Sequence, residues 1–421
     1  MSAAVARLLS APFAFAAVLA AAAPALAGEL AEALAADRIS ATIAAQGLRA
    51  TEAQLAALPD PTATQRFALG GVRFLGGVER ALQSRWRHGL AEGLATLSGL
   101  PFLRLPIPEN AAPEPFAPAD IAALFAAVTA DMEGAIAALG PIGADDAVAL
   151  RIDTADLWFD IDMDGRRSPG EGLTDVVTLT LGEFGPPMPD VTIRFDTADA
   201  AWLAAYAHML AGFGELVLAF DPTATIAKVL DSRAAFAALA AEEPGAPAGP
   251  GSEEDFTATQ ADFADLAAMA LGAIEVRPDP ARTRAVRAHW LAMIADNRAF
   301  WDRVAAETDN DAEWIPNKAQ VSATGLPFPP QTAQRWQAVL ADAEAALTGR
   351  ALIPHWRLPA GAGFDLGRML EDPPMIDVVG LLQGADILPY AARGRVLSLD
   401  SLRSFARMAG GDAALFVVIL N

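Results

Sequence analysis

The sequence contains no cysteine. That excludes disulfide staples, thiol nucleophiles and thiolate metal ligands, and with them a lipid anchor attached through a cysteine at a cleavage site. Lysine is almost missing as well, with Lys228 and Lys318 the two in the chain, so arginine carries the positive charge. Positive charge of either kind is scarce: 30 basic residues against 52 acidic ones leave a formal net charge of −22. Such a chain repels nucleic acid and anionic lipid and attracts divalent cations or basic partners, so nucleic acid is not an expected partner. The four histidines, His88, His208, His289 and His355, are scattered. They form neither an HExxH motif nor a pair at ligand spacing, which argues against a zinc site. No GxSxG elbow, phosphate-binding loop or dinucleotide fingerprint is present.

What is present begins at the N-terminus. Arg7 is the only charge ahead of an apolar stretch from Ala11 to Ala23; Pro24 breaks that stretch, and Ala25-Leu26-Ala27 offers small residues to a signal peptidase. The expectation is a signal peptide over residues 1–27 and a periplasmic or secreted mature chain. The stretch falls short of the roughly 20 residues that span a bilayer. No later segment reaches that length without charges or prolines, so no membrane span is expected in the mature chain.

Alanine dominates the remainder, and its helix propensity is the highest of any residue. Apolar residues recur at helical spacing over 62–88 (Phe67, Phe74, Val78, Leu82, Trp86) and over 119–139 (Ile121, Leu124, Val128, Met132, Ile136). The first of these carries glycines at 70, 71, 76 and 77, which weaken a helix unless another helix packs closely on them. From Asp196, a plausible N-cap, runs the strongest stripe: Trp202, Tyr206, Met209, Phe213, Leu216 and Phe220. Further helices are expected from 222 to about 239, and near 256–275, 279–306, 330–348 and 398–409. Segments 148–159 and 191–195 are β-branched or alternating and predict a small hairpin or strand pair; Leu415 to Leu420 suggests a terminal strand. The fold class expected is mainly α, a multi-helix array or bundle with a small β element near residues 148–195. Two helical regions, 28–240 and 256–421, flank a linker or exposed loop at 241–255 and are expected to pack as one unit.

One stretch carries specific chemistry. Asp160-Ile161-Asp162-Met163-Asp164-Gly165-Arg166-Arg167-Ser168-Pro169-Gly170-Glu171 fits D-x-D-x-D-G-x5-E at every required position. Calcium takes six to eight oxygen ligands at about 2.3–2.6 Å, and a tight loop must aim them inward. Asp160, Asp162 and Asp164 would supply side-chain oxygens, Gly165 the sharp turn and Arg166 its carbonyl. Ser168 would bind directly or through water, and Glu171 would close the shell with both oxygens. These twelve residues resemble the EF-hand calcium loop. Two departures set them apart: Arg167 stands where such loops carry an aliphatic residue that pairs with a second hand, and the segment Leu150 to Phe159 leading in reads as extended. Both point to a lone structural site rather than a paired sensor. A plainer reading treats Ser168 to Glu171 as a capping box that starts a helix, with proline at its first position.

Other candidates carry less. Asp309-Asn310-Asp311-Ala312-Glu313 alternates oxygen-bearing side chains but lacks the glycine and distant glutamate, and reads as a solvated loop or helix end. Asp372, Asp377 and Asp386 form no motif. Trp202 and Tyr206 share a helix face while His208 points elsewhere, which suits a structural histidine better than an acid or base.

The stretches FALGGVRFLGGVERALQSRWRHGL (67–90), FDTADAAWLAAYAHMLAGFGELVLAFD (195–221), DAEWIPN (311–317) and GFDLGRMLEDPPMIDVVGLLQGADILPY (363–390) resemble those of a family of uncharacterised exported bacterial proteins. The resemblance implies one continuous unit with 241–255 as a surface loop, and implies no activity and no site residues. The leading expectation is therefore an exported calcium-binding protein with a binding or structural role in the cell envelope and a protein or glycan partner. The alternative is a calcium-stabilised helical-barrel enzyme acting on a polysaccharide or wall polymer, with carboxylates and Tyr206 or His208 in acid–base roles.

Overall fold

The computed structural model describes residues 32, 34–90, 107–176, 189–242, 253–326 and 328–408. The stretch 1–27, most of 241–255 and the apolar 415–420 lie outside the described residues.

The chain is mainly helical. Helices α1 (Ile39–Ala56), α2 (Ala63–Arg87) and α3 (Asp120–Leu139) precede strands β1 (Ala149–Asp153) and β2 (Thr192–Asp196). β2 runs directly into α4 (Thr197–Phe220), followed by α5 (Thr223–Glu242), α6 (Glu253–Ile274), α7 (Pro280–Ala306) and α8 (Thr332–Leu347). A smaller region closes the described chain: β3 (Ala362–Phe364), α9 (Leu366–Glu371), α10 (Val378–Gln383), β4 (Ala391–Arg393) and α11 (Asp400–Met408).

The helix starts follow local side-chain chemistry. Thr62 and Asp196 each cap their helix through a reciprocal capping box, with Gln65 and Asp199 as third residues. Asp279 caps α7, with Pro280 in the first turn, where its missing N–H costs nothing. The strand pair is antiparallel, with Leu150 opposite Phe195 and Ile152 opposite Ile193. Alternate residues of β1 are buried, so one face joins the core.

Close helix packing depends on glycine and alanine. A Cβ on Gly70 would lie 2.7 Å from Leu139, and one on Gly77 would lie 2.5 Å from Met132, so α3 sits directly on α2 at these positions. Gly71 and Gly76 face open space. α4 presents buried Ala205, Ala207 and Ala211 to its neighbours, and Gly212 lets the Trp290 indole of α7 lie against its backbone. α3 and α4 are long and apolar enough to cross a membrane by length and composition. Here they pack on each other and on α2 and α7, and one acidic residue of each is engaged across helices: Asp131 by Arg80 at 2.6 Å and Glu215 by Arg282 at 2.9 Å.

One hydrophobic core gathers α1, α2, β1 and the start of α4, and includes Phe159 and Ile161; a second gathers α7, α8 and Phe405 of α11. Trp202 touches both. Three features depart from the sequence reading. α1 has a weak apolar stripe and is broken by non-helical Gly47, so its periodicity is poor. The β3–β4 pair joins segments about 30 residues apart that individually are too short to signal strands. No helix starts at Pro169: Gly170 holds φ +90°, outside helical geometry, and the helical turn begins at Leu173.

Candidate metal centre

The acidic loop is rooted in the core from both sides. Trp158 donates its indole N–H to the Ile43 carbonyl at 3.0 Å and packs against Gly47, where a Cβ would lie 3.0 Å from the indole and the φ of +78° disfavours any side chain. Trp158 bridges antiparallel to Gly172, Phe159 N–H donates to the Glu171 carbonyl, and Leu173 N–H to that of Leu157. The chain entering the loop and the chain leaving it are thus zipped together. Ile161, with no exposed surface, plugs the base. The lead-in is extended over Ala149–Asp153 and again from Leu157, but a 3-10 turn at Thr154–Asp156 interrupts the extended run that its sequence suggests.

α2 supplies the back wall. Gln83 donates its amide to the Asp160 carbonyl at 2.8 Å, and Glu79 accepts the Asp160 N–H at 2.9 Å. Both side chains are buried. Burial raises the Glu79 carboxyl to about 7, and the nearby Asp160 and Glu171 charges add to the rise; the Asp160 N–H and the Arg49 charge oppose it.

The front of the loop holds three carboxylates. Asp160, Asp162 and Asp164 each bring an oxygen within 4.8 Å of the others. Gly165 takes φ +75°, as the sixth position of such a loop requires, and its N–H donates to Asp160 Oδ1 at 3.1 Å. Asp162 Oδ1 accepts from Asp164 N–H at 3.1 Å, and Asp164 Oδ1 from Arg166 N–H at 2.7 Å. These local bonds hold the aspartates on one side of the turn.

Glu171 occupies a different position in the site. Its Oε1 accepts the N–H groups of Ile161 and Asp162 at 2.8 and 3.3 Å, and its Oε2 accepts that of Ser168 at 2.7 Å. The side chain has no exposed surface. Burial pushes its carboxyl up, against these three N–H groups, which pull it down. Glu171 therefore clamps the loop from within, and turning both oxygens to an ion would release three amides. Arg166 and Ser168 contribute N–H groups to this network. Arg167 folds back and donates to the Ala155 carbonyl at 2.7 Å, which accounts for an arginine at a position usually aliphatic.

A second convergence was not legible in the sequence. Asp196, Glu307 and Glu313 also bring oxygens within 4.8 Å of one another. Asp309 and Asp311 are solvated and ion-paired with Arg194 and Arg151, as a surface loop would be. Glu313, four residues from Asp309, is instead buried, and accepts the Asp311 N–H. The left-handed Ala312 turns the chain inward there, a bend that alternation of side chains does not reveal. Burial raises Glu307 to about 7, the Asp196, Glu313 and Asp309 charges adding to the rise while the Gln320 amide opposes it. Burial likewise raises Glu313, and holds Asp199 well above its ordinary value. A carboxyl whose folded value is raised favours the folded form below its unfolded value, and that contribution disappears as pH rises through the folded value. The melting temperature in chelator should therefore fall between about pH 4.5 and 7, and Glu307→Gln should flatten that fall. Identical pH profiles for the two proteins would exclude Glu307 as a source.

The aromatic and histidine candidates sort differently. The Tyr206 ring stacks between Phe74 and Trp202, and burial holds its hydroxyl above its ordinary range, which unfits it for acid–base work at neutral pH. His88 lies 3.4 Å from Asp120. Asp377 caps α10 and accepts the Val379 N–H, while Asp386 accepts the Asp377 N–H. A cavity among Ala119, Ala123, Asp221, Arg277 and Arg282 shares no residue with the acidic loop. No family model, curated protein or solved structure matches the chain, so the chemistry of the site is read from its own residues.

Proposed function

We propose that the chain is an exported calcium-binding protein in which the loop Asp160–Glu171 is a single structural site, serving a binding or structural role in the cell envelope. One observation carries this reading: three aspartate carboxylates converge on one side of a turn whose Gly165 has the backbone geometry such a loop needs. Asp160, Asp162 and Asp164 would hold the ion first, with the Arg166 carbonyl and Ser168 beside them. Glu171 would complete the shell on turning from its amides. A bound ion supplies the positive charge that lets these carboxylates share a small volume.

The core-anchored base of the loop supports a stabilising rather than a signalling role. Arg167, bonded back to the loop's own lead-in, leaves no apolar edge for a second hand. An ion that binds only the folded form stabilises it by mass action, about 1.4 kcal/mol at ten times its dissociation constant. In a chain without cysteine, that increment has no disulfide to substitute for it. Export would place the site in contact with extracellular calcium, and the sequence of residues 1–27 supports that location. α3 and α4 are read as core helices, because they pack on neighbouring helices and Asp131 of α3 and Glu215 of α4 pair with arginines of α2 and α7.

Calorimetric titration of the purified chain with calcium, with thermal melts in calcium and in chelator, tests the reading. One equivalent should bind, the melt should rise in calcium, and Asp160→Ala should abolish both effects. Absence of heat together with superimposable melts would reduce the loop to a hydrogen-bonded turn.

A further inference from the structure

Apart from the two carboxylate clusters, the fold brings two ring nitrogens together. We propose that His208 of α4 and His289 of α7 form a site for a borderline divalent transition ion such as zinc or copper, separate from the acidic loop. The two residues are 81 apart in sequence, and the packing of α4 along α7 brings their Nδ1 atoms to 2.9 Å. At that distance a single proton lies between two ring nitrogens, one donating and one accepting. A metal ion can take the place of that proton once the donating ring carries it on Nε2 instead, a tautomeric shift with no net loss of a proton. Zinc binds imidazole nitrogen at about 2.0–2.1 Å, so two imidazoles in a tetrahedral shell stand about 3.3–3.4 Å apart. The pair would have to open by about half an ångström to reach that spacing.

Three features of the surroundings favour a cation there. Asp296, on α7, places Oδ2 3.8 Å from the far nitrogen of His208. A carboxylate behind a ligating imidazole fixes its orientation and raises its basicity. The charges of Glu133 and Glu215 act on His289 from α3 and α4. The arginines nearby are committed elsewhere: Arg282 to Glu215 at 2.9 Å and Arg303 to the Thr197 carbonyl at 2.8 Å. Both imidazoles also remain unprotonated at neutral pH, since burial lowers His208 to about 4, with His289 adding to the shift, and lowers His289 in the same direction. Neutral rings need no proton released to solvent before binding, only the change of tautomer in the donating ring. The pair is partly exposed, the His208 side chain by 16%, so an ion can enter from one side and water can fill the remaining positions.

The two sites select by ligand chemistry. Carboxylate and carbonyl oxygens suit calcium, and imidazole suits zinc, copper or nickel. The test is therefore a zinc titration of the purified chain by calorimetry with calcium already saturating. One equivalent of zinc should bind, His289→Gln and His208→Gln should each weaken it by about tenfold or more, and Asp160→Ala should leave it unchanged. X-ray absorption at the zinc edge of the unmodified protein should show scattering from two imidazoles, a readout that does not depend on the variants folding. Zinc binding that survives both histidine substitutions, no saturable binding, or an edge spectrum without imidazole scattering would each overturn the proposal and leave a hydrogen-bonded pair. Failure of calcium to bind would not bear on this result, because the two titrations use different residues and different ions.

Discussion

Glu171→Ala is expected to destabilise the protein by about 3 kcal/mol or more in chelator, where no ion contributes. Its carboxylate holds the N–H groups of Ile161, Asp162 and Ser168 at the base of the loop and has no exposed surface. Removing an acceptor from buried donors costs about 1–3 kcal/mol for each donor left without a partner, and the cavity adds to this. Asp162→Ala provides the contrast. It removes an outward carboxylate from a partly solvated turn, so in chelator it should change stability by less than about 1 kcal/mol, yet it should remove most of the stabilisation by calcium. Urea denaturation of both variants, with and without calcium, separates the clamp from the ligand. Equal losses for the two in chelator would mean that Glu171 is not an internal clamp.

Gly212→Val should cost about 2–3 kcal/mol. A Cβ at this position would lie 2.4 Å from Trp290 Nε1 and 2.6 Å from Trp290 Cδ1, and the indole is itself stacked edge-on against Phe213. Overpacking of this kind typically costs about 1–3 kcal/mol, and a β-branched residue loses side-chain freedom in a helix besides. Gly71→Ala is the control. It meets nothing within 4 Å in the same kind of helix, so it should stabilise the protein by up to about 1 kcal/mol through helix propensity alone. If Gly212→Val were neutral by urea denaturation, the Trp290 indole would not lie against the Gly212 backbone.

Elements with a long, regular apolar stripe were legible from the sequence alone. The stripes over 62–88 and 119–139, the one starting at Asp196 and the helix expected near 279–306 lie within a residue or two of α2, α3, α4 and α7. The strand pair was visible because β1 and β2 alternate. The short elements between 362 and 393 were not, since three-residue strands and six-residue helices leave too few positions for a period to show.

The acidic loop was legible because its oxygen donors fall within twelve consecutive residues, and the three aspartates do converge on one side of the turn. The posture of Glu171 was not, because the motif describes a ligand and cannot express a competing set of backbone donors. Glu79 and Gln83 were hidden for another reason: they lie about 80 residues from Asp160 and join it only through α2 packing. The same holds for Asp196 beside Glu307 and Glu313, and for His208 beside His289. Spacing rules find ligands on one turn or one helix. They do not find groups that meet only through packing of distant segments.

Trp158 gives the loop an optical readout of its own. Its indole is fixed by the Ile43 carbonyl and by Gly47 only two residues before Asp160, so its distance from any ion in the turn is set by the backbone and not by a mobile side chain. Trivalent lanthanides are hard cations with the same preference for oxygen as calcium. A terbium ion held by the three aspartates would sit beside this antenna and emit when the indole is excited, whereas one held at the histidine seam would have Trp290, not Trp158, as its sequence neighbour. Occupancy of the turn is thereby open to fluorescence without any label.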